Sequence, residues 1–467
     1  MADRSDGGAS RKRRPDLDTV YSINSDGSRN FLHPADVHGR WQMLKNLLFP
    51  LLITIYALMP WLRVGGHPLI HVDLPGRAAH LFGFAFTNQD FYLMFFVLTG
   101  LGFGLFVVTA LWGRIWCGYV CPQTVFMEGV FRKLERLIEG PRVVRIRRNL
   151  GPLTGARFLR KLAKHVLILA GSSLLAHIFL SYFLPVRELI HAVWEDPATH
   201  LSAFGWTTFW TLVMYFNFSW FREQTCIVIC PYGRLQSALI DEDTIIIGYD
   251  EIRGEPRRKG VDDGGDCVDC YRCVEVCPTG IDIRNGLQLE CVGCANCVDA
   301  CDDIMDKIGR PRGLVRYDSQ RSFRGEGRRN LLRPRSFIYA FMGLVGLAVA
   351  TLSVASRENF QATALRTKGL PYVIEGARIR NLINLHIQNK DDEAATYLIE
   401  VEDGDGPAVE AIVPQPLLHL EGMRDGQSPV FLYVARPEYS GSFPVFISVT
   451  DSLSGQSRRL EVTFRGP

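Results

Sequence analysis

The run Cys267–Cys301, CVDCYRCVEVCPTGIDIRNGLQLECVGCANCVDAC, decides how this chain is organised. Cys267, Cys270, Cys273 and Cys277, followed by Pro278, give C-x2-C-x2-C-x3-C-P, and Cys291, Cys294, Cys297 and Cys301 repeat the spacing. Three thiolates two residues apart reach three corners of an iron–sulfur cubane, and the fourth cysteine reaches the neighbouring cluster. The expected ligand sets therefore cross. Cys267, Cys270, Cys273 and Cys301 hold one [4Fe–4S] centre; Cys291, Cys294, Cys297 and Cys277 hold the other. Structural zinc usually takes two ligand pairs split by a longer loop, and disulfides belong to oxidising compartments. Asp302 stands where the first repeat has a proline, which is expected to loosen that turn without removing a ligand.

Working outward, 467 residues leave room for several units. A net charge of +3 with 22% charged residues gives no basic footprint for nucleic acid. All 12 cysteines lie between Cys117 and Cys301, which is metal-site usage and not a secreted scaffold. Mean hydropathy near zero hides very apolar runs among ordinary polar ones.

Five runs approach the ~20 residues that cross hydrocarbon: Asn46–Leu62, Phe91–Trp112, His165–Leu184, Phe204–Phe221 and Phe337–Ala355. Pro50 and Pro60 are expected near the ends of the first. The segment before it, residues 1–45 with Arg11–Arg14, reads as a tail without a secretory signal. Lysine and arginine number eight in that tail and twelve in Gly113–Lys164. Arg63–Asp90 has two and Pro185–Ala203 only Arg187. This alternation puts the N-terminus and the cluster region in the cytoplasm of a multi-pass inner-membrane protein and the C-terminus in the periplasm. The expected division is four spans over 46–240, a ferredoxin-like two-cluster insert over 241–336, a fifth span over 337–355 and an external domain over 370–467.

The first four spans contain a repeat. Each pair ends in C-x3-C-P: Cys117, Cys121 and Pro122, then Cys226, Cys230 and Pro231. Two like-oriented hairpins imply a parallel repeat about the membrane normal. Thiols at i and i+4 are expected on one helical face, with the proline ending the helix. If the helix ends meet, four thiolates could hold copper, zinc or another iron–sulfur centre; inert packing of buried cysteines, or disulfides, are the alternatives. Phe126, Met127, Val130, Phe131, Leu134, Leu137 and Ile138 form an apolar stripe opposite Arg132, Lys133 and Arg136, expected as a helix lying in the interface.

Beyond Leu370 the period becomes two: Ile383, Leu385 and Ile387, then Tyr397, Ile399 and Val401, then Leu460, Val462 and Phe464. With turns at Asn389–Asp392 and Asp403–Gly406, this predicts a β-sandwich. It has no cysteine, only His386, His419 and Met423 as soft ligands, and reads as a docking module. Only the third span contains histidine, His165 and His177, so paired haem ligands from two helices are absent. His67, His71, His80, His191 and His200 fall in the two external connections, as a metal or quinol site or as scattered surface histidines. No dinucleotide fingerprint or P-loop occurs. Gly100, Gly102 and Gly104 suit close helix packing. The electron donor is thus another protein or a quinol, and no catalytic residue is singled out.

With these motifs in hand, the chain resembles the cytochrome c oxidase accessory proteins known as CcoG, FixG or RdxA. The likeness runs through His67-Pro68, Asp73–Arg77, Leu81–Gly83, Gln89-Asp90, Gly113–Gln123, Ile138–Gly140, the cysteine run and Gly280–Arg284. The resemblance implies an immunoglobulin-like C-terminal domain and a role in assembling cbb-type oxidases by reducing Cu(II) to Cu(I), with oxidase subunits, copper chaperones or transporters as partners. A NapH-type quinol dehydrogenase shares the four spans, both C-x3-C-P motifs and the two clusters, but not the fifth span or the external domain. A non-enzymatic redox-sensing scaffold is the third reading.

Overall fold

The computed structural model describes residues 31–64, 67–74, 78–87, 90–152, 154–258, 264–330, 333–355, 359–366, 369–391, 393–402 and 406–467. The Arg11–Arg14 run, Pro75–Arg77, Gln89, Asp392 and Asp403–Asp405 lie outside the described residues. The chain forms two compact units, residues 1–62 with 96–348 and residues 63–95 with 349–467.

In the first unit, long apolar helices form where hydropathy demands them. Arg40–Leu58, Tyr92–Trp112, Gly155–Leu180 and Pro334–Ala355 each have the length and composition to cross a membrane. The remaining expected span is the helix Leu201–Phe216, which continues as a π-helical turn over Asn217–Phe221. The first helix starts at Arg40, six residues before the expected Asn46. The reason is a cap supplied from elsewhere: the Asp299 carboxylate accepts from the amides of Trp41 (3.3 Å) and Gln42 (2.8 Å). Pro50 consequently lies inside the helix, not near its end. The last part of the expected tail is also engaged, since the Ala35 amide donates to the Glu275 carbonyl at 2.8 Å.

Glycine permits one close crossing in this unit. A Cβ on Gly346 would sit 3.0 Å from the Gly100 nitrogen, and one on Gly100 3.3 Å from the Leu347 nitrogen. Gly102 meets nothing within 4 Å and so plays no such part. The helix expected to lie flat in the interface instead packs inward. Its Phe126, Met127 and Phe131 join Ile168, Leu175 and Phe218 in a buried cluster, with Phe131 and Phe218 stacked at 4.2 Å. Arg132, expected on the polar face, is buried because carboxylates surround it (below).

The two-cluster region is framed by antiparallel strands Ile245–Tyr249 and Val315–Ser319, with Tyr249 opposite Val315. Between them lie the short helix Arg272–Glu275 and the longer helix Asn296–Lys307. Ile247, Tyr249, Ile283, Val298, Met305 and Leu314 make its core.

The second unit carries the period-two sequence as two antiparallel sheets around one core. One holds Phe360–Arg366, Val373–Glu375, Arg378–Asn389, Glu410–Ile412 and Asp425–Ala435; the other holds Ala395–Glu402, Leu417–Leu420, Phe443–Asp451 and Ser457–Phe464. Ile383, Leu385 and Ile387 from the first sheet and Tyr397, Ile399, Val462 and Phe464 from the second are buried together. The sheet already includes Phe360–Arg366, ahead of the expected start at Leu370. The connection before the second span forms a three-stranded sheet of Ile70–Asp73, Ala78–Leu81 and Phe84–Thr87. Asp90 at its end pairs with Lys390 at 3.0 Å, both nearly buried.

Candidate metal centres

The two C-x2-C-x2-C loops share one backbone conformation. Asp269 (φ 50) and Tyr271 (φ 57) flank Cys270, as Gly293 (φ 68) and Ala295 (φ 59) flank Cys294. Three of these four are not glycine, so this left-handed geometry is held against its intrinsic cost. Such alternation turns successive amides into a concavity that suits an anionic group. The Gly293, Asn296 and Val315 amides donate to the sulfurs of Cys291, Cys294 and Cys301.

Two cavities lie inside these loops. One, a partly open space of about 320 Å³, is lined by Cys273, Cys277, Cys291, Cys294 and Cys297. The other, of about 380 Å³, is lined by Cys267, Cys270, Cys273 and Cys301. Each quartet encloses a volume. Among the described residues no three His, Cys, Asp or Glu side chains converge on a point that would hold a single ion. Zinc needs its ligands within about 2.3 Å of one centre, whereas a cubane spreads them over four corners. The donor set and the enclosed space therefore fit [4Fe–4S] clusters. As free thiols Cys294 and Cys301 hold their protons: burial pushes Cys294 up to about 11, against the Lys45 charge, and Cys301 up to about 12. Cluster binding must displace those protons.

Asp302 does not loosen a turn, contrary to expectation. Without a proline after Cys301, the helix Asn296–Lys307 runs straight through this point, and Asp302 accepts from the Gly313 amide at 2.9 Å. In the first repeat the helix ends at Glu275, just before Cys277 and Pro278.

The C-x3-C-P motifs also depart from the single helical face expected of them. Cys117 lies in the helix Ile115–Tyr119 and Cys226 in a π-helical turn, Thr225–Ile229. Cys121 and Cys230 are N-caps of the following helices, Pro122–Phe126 and Pro231–Leu239, with proline first in each. The repeat is nonetheless visible in the backbone. Four residues before each first cysteine stands a left-handed residue, Gly113 (φ 56) and Arg222 (φ 53). The halves then exchange contacts: Arg114 donates to the Gly233 carbonyl (2.7 Å) and Gln123 to the Arg222 carbonyl (3.1 Å). Gln236 of the second half reaches the Cys117 sulfur at 3.4 Å. Burial pushes Cys117 up to about 11, with Gln236 opposing and the charges of Cys121 and Cys230 adding to the rise. It pushes Cys226 up to about 12, aided by Cys121, Cys117 and Cys230. The four thiols thus share one neighbourhood without meeting at a single-ion distance.

This thiol neighbourhood abuts a cluster loop. A Cβ on Gly118, next to Cys117, would lie 2.5 Å from the Gly293 carbonyl oxygen and 3.1 Å from the Cys294 Cα. Only a glycine allows that approach. Three cations missed in the sequence hold the same cluster's loops. Lys45 Nζ donates to the Cys294 carbonyl (2.9 Å) and to Asn296 Oδ1, Arg114 to the carbonyls of Leu289 and Cys291, and Arg132 to the Pro278 carbonyl (2.9 Å). Arg132 also pairs with Glu128 and Glu223, all three lining a cavity of about 330 Å³ together with Cys226, Pro278 and Val292. The Glu128–Arg132 spacing was a usable signal; nothing local marked Lys45 as pointing inward.

Among the described histidines of the two connections, two pairs approach each other. His71 and His80 are cross-strand partners, buried, with ring centroids 6.3 Å apart. His191 and His200 approach at 6.1 Å. His386 bonds Asp425 (2.7 Å), and His419 contacts Thr396.

Membrane-length helices joined to cysteine-lined cavities define a multi-pass membrane iron–sulfur protein. Three family profiles match: a 4Fe-4S dicluster domain over residues 221–320, a 4Fe-4S binding domain over 93–141, and the IG-like fold at the C-terminus of FixG over 350–467. The last description classes FixG among oxidoreductases, and this chain is one. It is 35% identical over 443 residues to protein RdxA of Cereibacter sphaeroides (91% of this chain, 92% of that one). It is 38% identical to RdxB of the same organism (80% and 82%), and 31% identical to the nitrogen fixation protein FixG of Rhizobium meliloti (93% and 90%). The chain belongs to the FixG/RdxA family. A crystal structure of a FixG-related protein from Vibrio parahaemolyticus aligns over 23% of this chain and 97% of its own at 16% identity, with a TM-score of 0.21 that carries no argument.

Proposed function

We propose that the protein is a cupric reductase serving assembly of a cbb-type haem–copper oxidase, with five spans, both clusters cytoplasmic and the immunoglobulin-like domain periplasmic. Cys267, Cys270, Cys273 and Cys301 hold one [4Fe–4S] cluster, and Cys277, Cys291, Cys294 and Cys297 the other. Bound there, such clusters supply single electrons. Cys117, Cys121, Cys226 and Cys230 receive the copper. Cu(II) accepts one electron, and the resulting Cu(I) is the ion that thiolates prefer, so reduction and retention occur at one place. Orientation rests on the alternation of basic and base-poor segments. The partners are the bilayer, an electron donor and the oxidase subunits or copper carriers that take the product.

The observation that carries this reading is the approach of Gly118 to Gly293, which brings the Cys117 helix against the Cys291–Cys294 loop. A copper-reducing site needs its thiols beside a cluster, and this approach of helix to cysteine loop supports that placement. The test is anaerobic purification, reduction, and titration with Cu(II) under electron paramagnetic resonance. The cluster signal should fall as Cu(I) appears, one electron per ion. A reduced signal indifferent to Cu(II), with rapid loss on adding a quinone instead, would overturn it in favour of quinone chemistry.

A further inference from the structure

Charge is distributed unequally around the two cavities. Beside the one lined by Cys277, Cys291, Cys294 and Cys297 stand Lys45 and Arg114. Lys45 is 3% exposed, and its ammonium bonds only neutral oxygens, the Cys294 carbonyl and Asn296 Oδ1. Arg114 likewise donates to the carbonyls of Leu289, Cys291 and Gly233. Among the described residues no ion pair within 4.0 Å involves either. The nearby carboxylates are engaged elsewhere: Asp299 caps the Arg40–Leu58 helix, and Glu128 and Glu223 face Arg132.

The other cavity has the opposite character. Its buried cation, Arg284, is paired with Asp282 and Asp269, each at 2.6 Å. Arg257 is shared between Glu255 (2.9 Å) and Asp269 (3.8 Å). Asp302 follows its ligand Cys301 directly. Cys270 on this side is exposed, whereas Cys294 on the other is buried.

A cluster that takes an electron gains negative charge, so an uncompensated cation beside it favours the reduced form, most strongly where water is excluded. Burial by itself acts the other way, since it disfavours the extra charge. At Cys294 both influences are present, and the buried Lys45 together with the half-buried Arg114, neither paired with a carboxylate, outweigh the desolvation of one added electron. Resting on the two-cluster reading above, we propose that Lys45, with Arg114, raises the potential of the cluster held by Cys277, Cys291, Cys294 and Cys297, making it the exit of a one-way pair. Electrons enter at the Cys270 side, which is open to a soluble or surface donor, and collect at the cluster that touches the Cys117 helix. Lys45 acts through the cluster and is a positioning residue for charge; it touches no substrate.

The test is a potentiometric titration of the intact detergent-purified protein followed by electron paramagnetic resonance. Cys270→Ser and Cys294→Ser identify which signal belongs to which cluster. In the parent, the signal altered by Cys294→Ser should have the higher midpoint. Lys45→Met should lower that midpoint and leave the other in place, with iron and sulfide per chain unchanged. Lys45→Arg keeps the charge and should keep the midpoint. A parent in which the Cys294-linked cluster has the lower midpoint overturns the proposal, and so does a Lys45→Met midpoint equal to the parent's. Should Lys45→Met lose the cluster, Lys45→Gln, which can still donate to the Cys294 carbonyl, reads the same shift. Absence of two cluster signals from the parent would refute the two-cluster reading itself, a different result from either.

Discussion

Replacing Gly118 by alanine isolates the contact between the thiol helix and the cluster loop. The added Cβ would lie 2.5 Å from the Gly293 oxygen, 2.8 Å from the Gly293 carbonyl carbon and 3.1 Å from the Cys294 Cα. Ordinary contact begins at 3.4 Å, so the loop or helix must retreat by 3.4 − 2.5 = 0.9 Å. Backbone atoms form this obstacle, so no side-chain rotation relieves it. Gly118 has ordinary helical geometry, and alanine there gains up to about 1 kcal/mol of helix propensity. Overpacking costs about 1–3 kcal/mol. The net destabilisation is therefore only about 0–2 kcal/mol, and the clusters should assemble. Electron transfer nevertheless weakens steeply with separation, so stopped-flow oxidation of the reduced protein by Cu(II) should slow several-fold. Gly102→Ala, whose Cβ meets nothing within 4 Å, should be silent. Parent-like oxidation by Gly118→Ala at full cluster content would refute this contact as the electron path.

The Glu135→Gln change leaves Arg222 and Arg145 facing a neutral amide where a carboxylate now stands 2.6 and 3.7 Å away. Breaking such a buried pair costs about 3–5 kcal/mol, which should appear as a lower thermal midpoint in detergent. Burial opposes the Glu135 charge, but Arg222, Lys164 and Arg132 hold its carboxyl below the ordinary range. Its folded value being depressed, the stabilisation is complete above the unfolded carboxylate value and is lost as pH falls through the folded one. Parent stability should therefore drop more steeply than that of Glu135→Gln on acidification; parallel curves would contradict the linkage. If the ligand sets cross between repeats as proposed, Cys277→Ser should perturb the signal that Cys294→Ser also perturbs and spare the one linked to Cys270. The reverse pattern would mean that each repeat closes on itself.

What was legible in the sequence was whatever a period or a spacing encodes. The cysteine runs predict two metal sites, and the eight cysteines line two cavities, with Cys273 lining both. Alternation at Ile383, Leu385 and Ile387 predicted buried strand positions, and hydropathy located the long helices. What escaped was set by partners distant in sequence. Asp299 extends the first helix to Arg40 from 258 residues away, which moves Lys45 from a flanking charge into the cluster's wall. Arg132 looked like an interfacial cation until Glu223 and the Pro278 carbonyl closed around it. The short strands between Ile70 and Thr87 were hidden because the alternation there involves histidine and aspartate, which read as polar yet stand half-buried or buried.

The left-handed residue at position 222 shows how the two halves of the membrane repeat came to differ. Gly113 adopts its φ of 56° without strain, and it must be glycine anyway, since a Cβ would lie 2.5 Å from the Ile245 oxygen. Arg222 takes nearly the same φ with a full side chain, at a cost of about 1–3 kcal/mol. The two positions are equivalent, so the strain is local to the second half. The arginine is retained where its guanidinium meets Glu135 at 2.6 Å, both residues buried, in the same charged layer that holds Arg132 against the Pro278 turn. One half thus uses its turn to seat a strand of the two-cluster region, and the other uses it to anchor a buried charge beside Cys226. Both turns stand four residues before a C-x3-C-P thiol, so unlike residues serve the same position: glycine where the turn meets the Ile245 strand, arginine where it meets the buried Glu135 carboxylate.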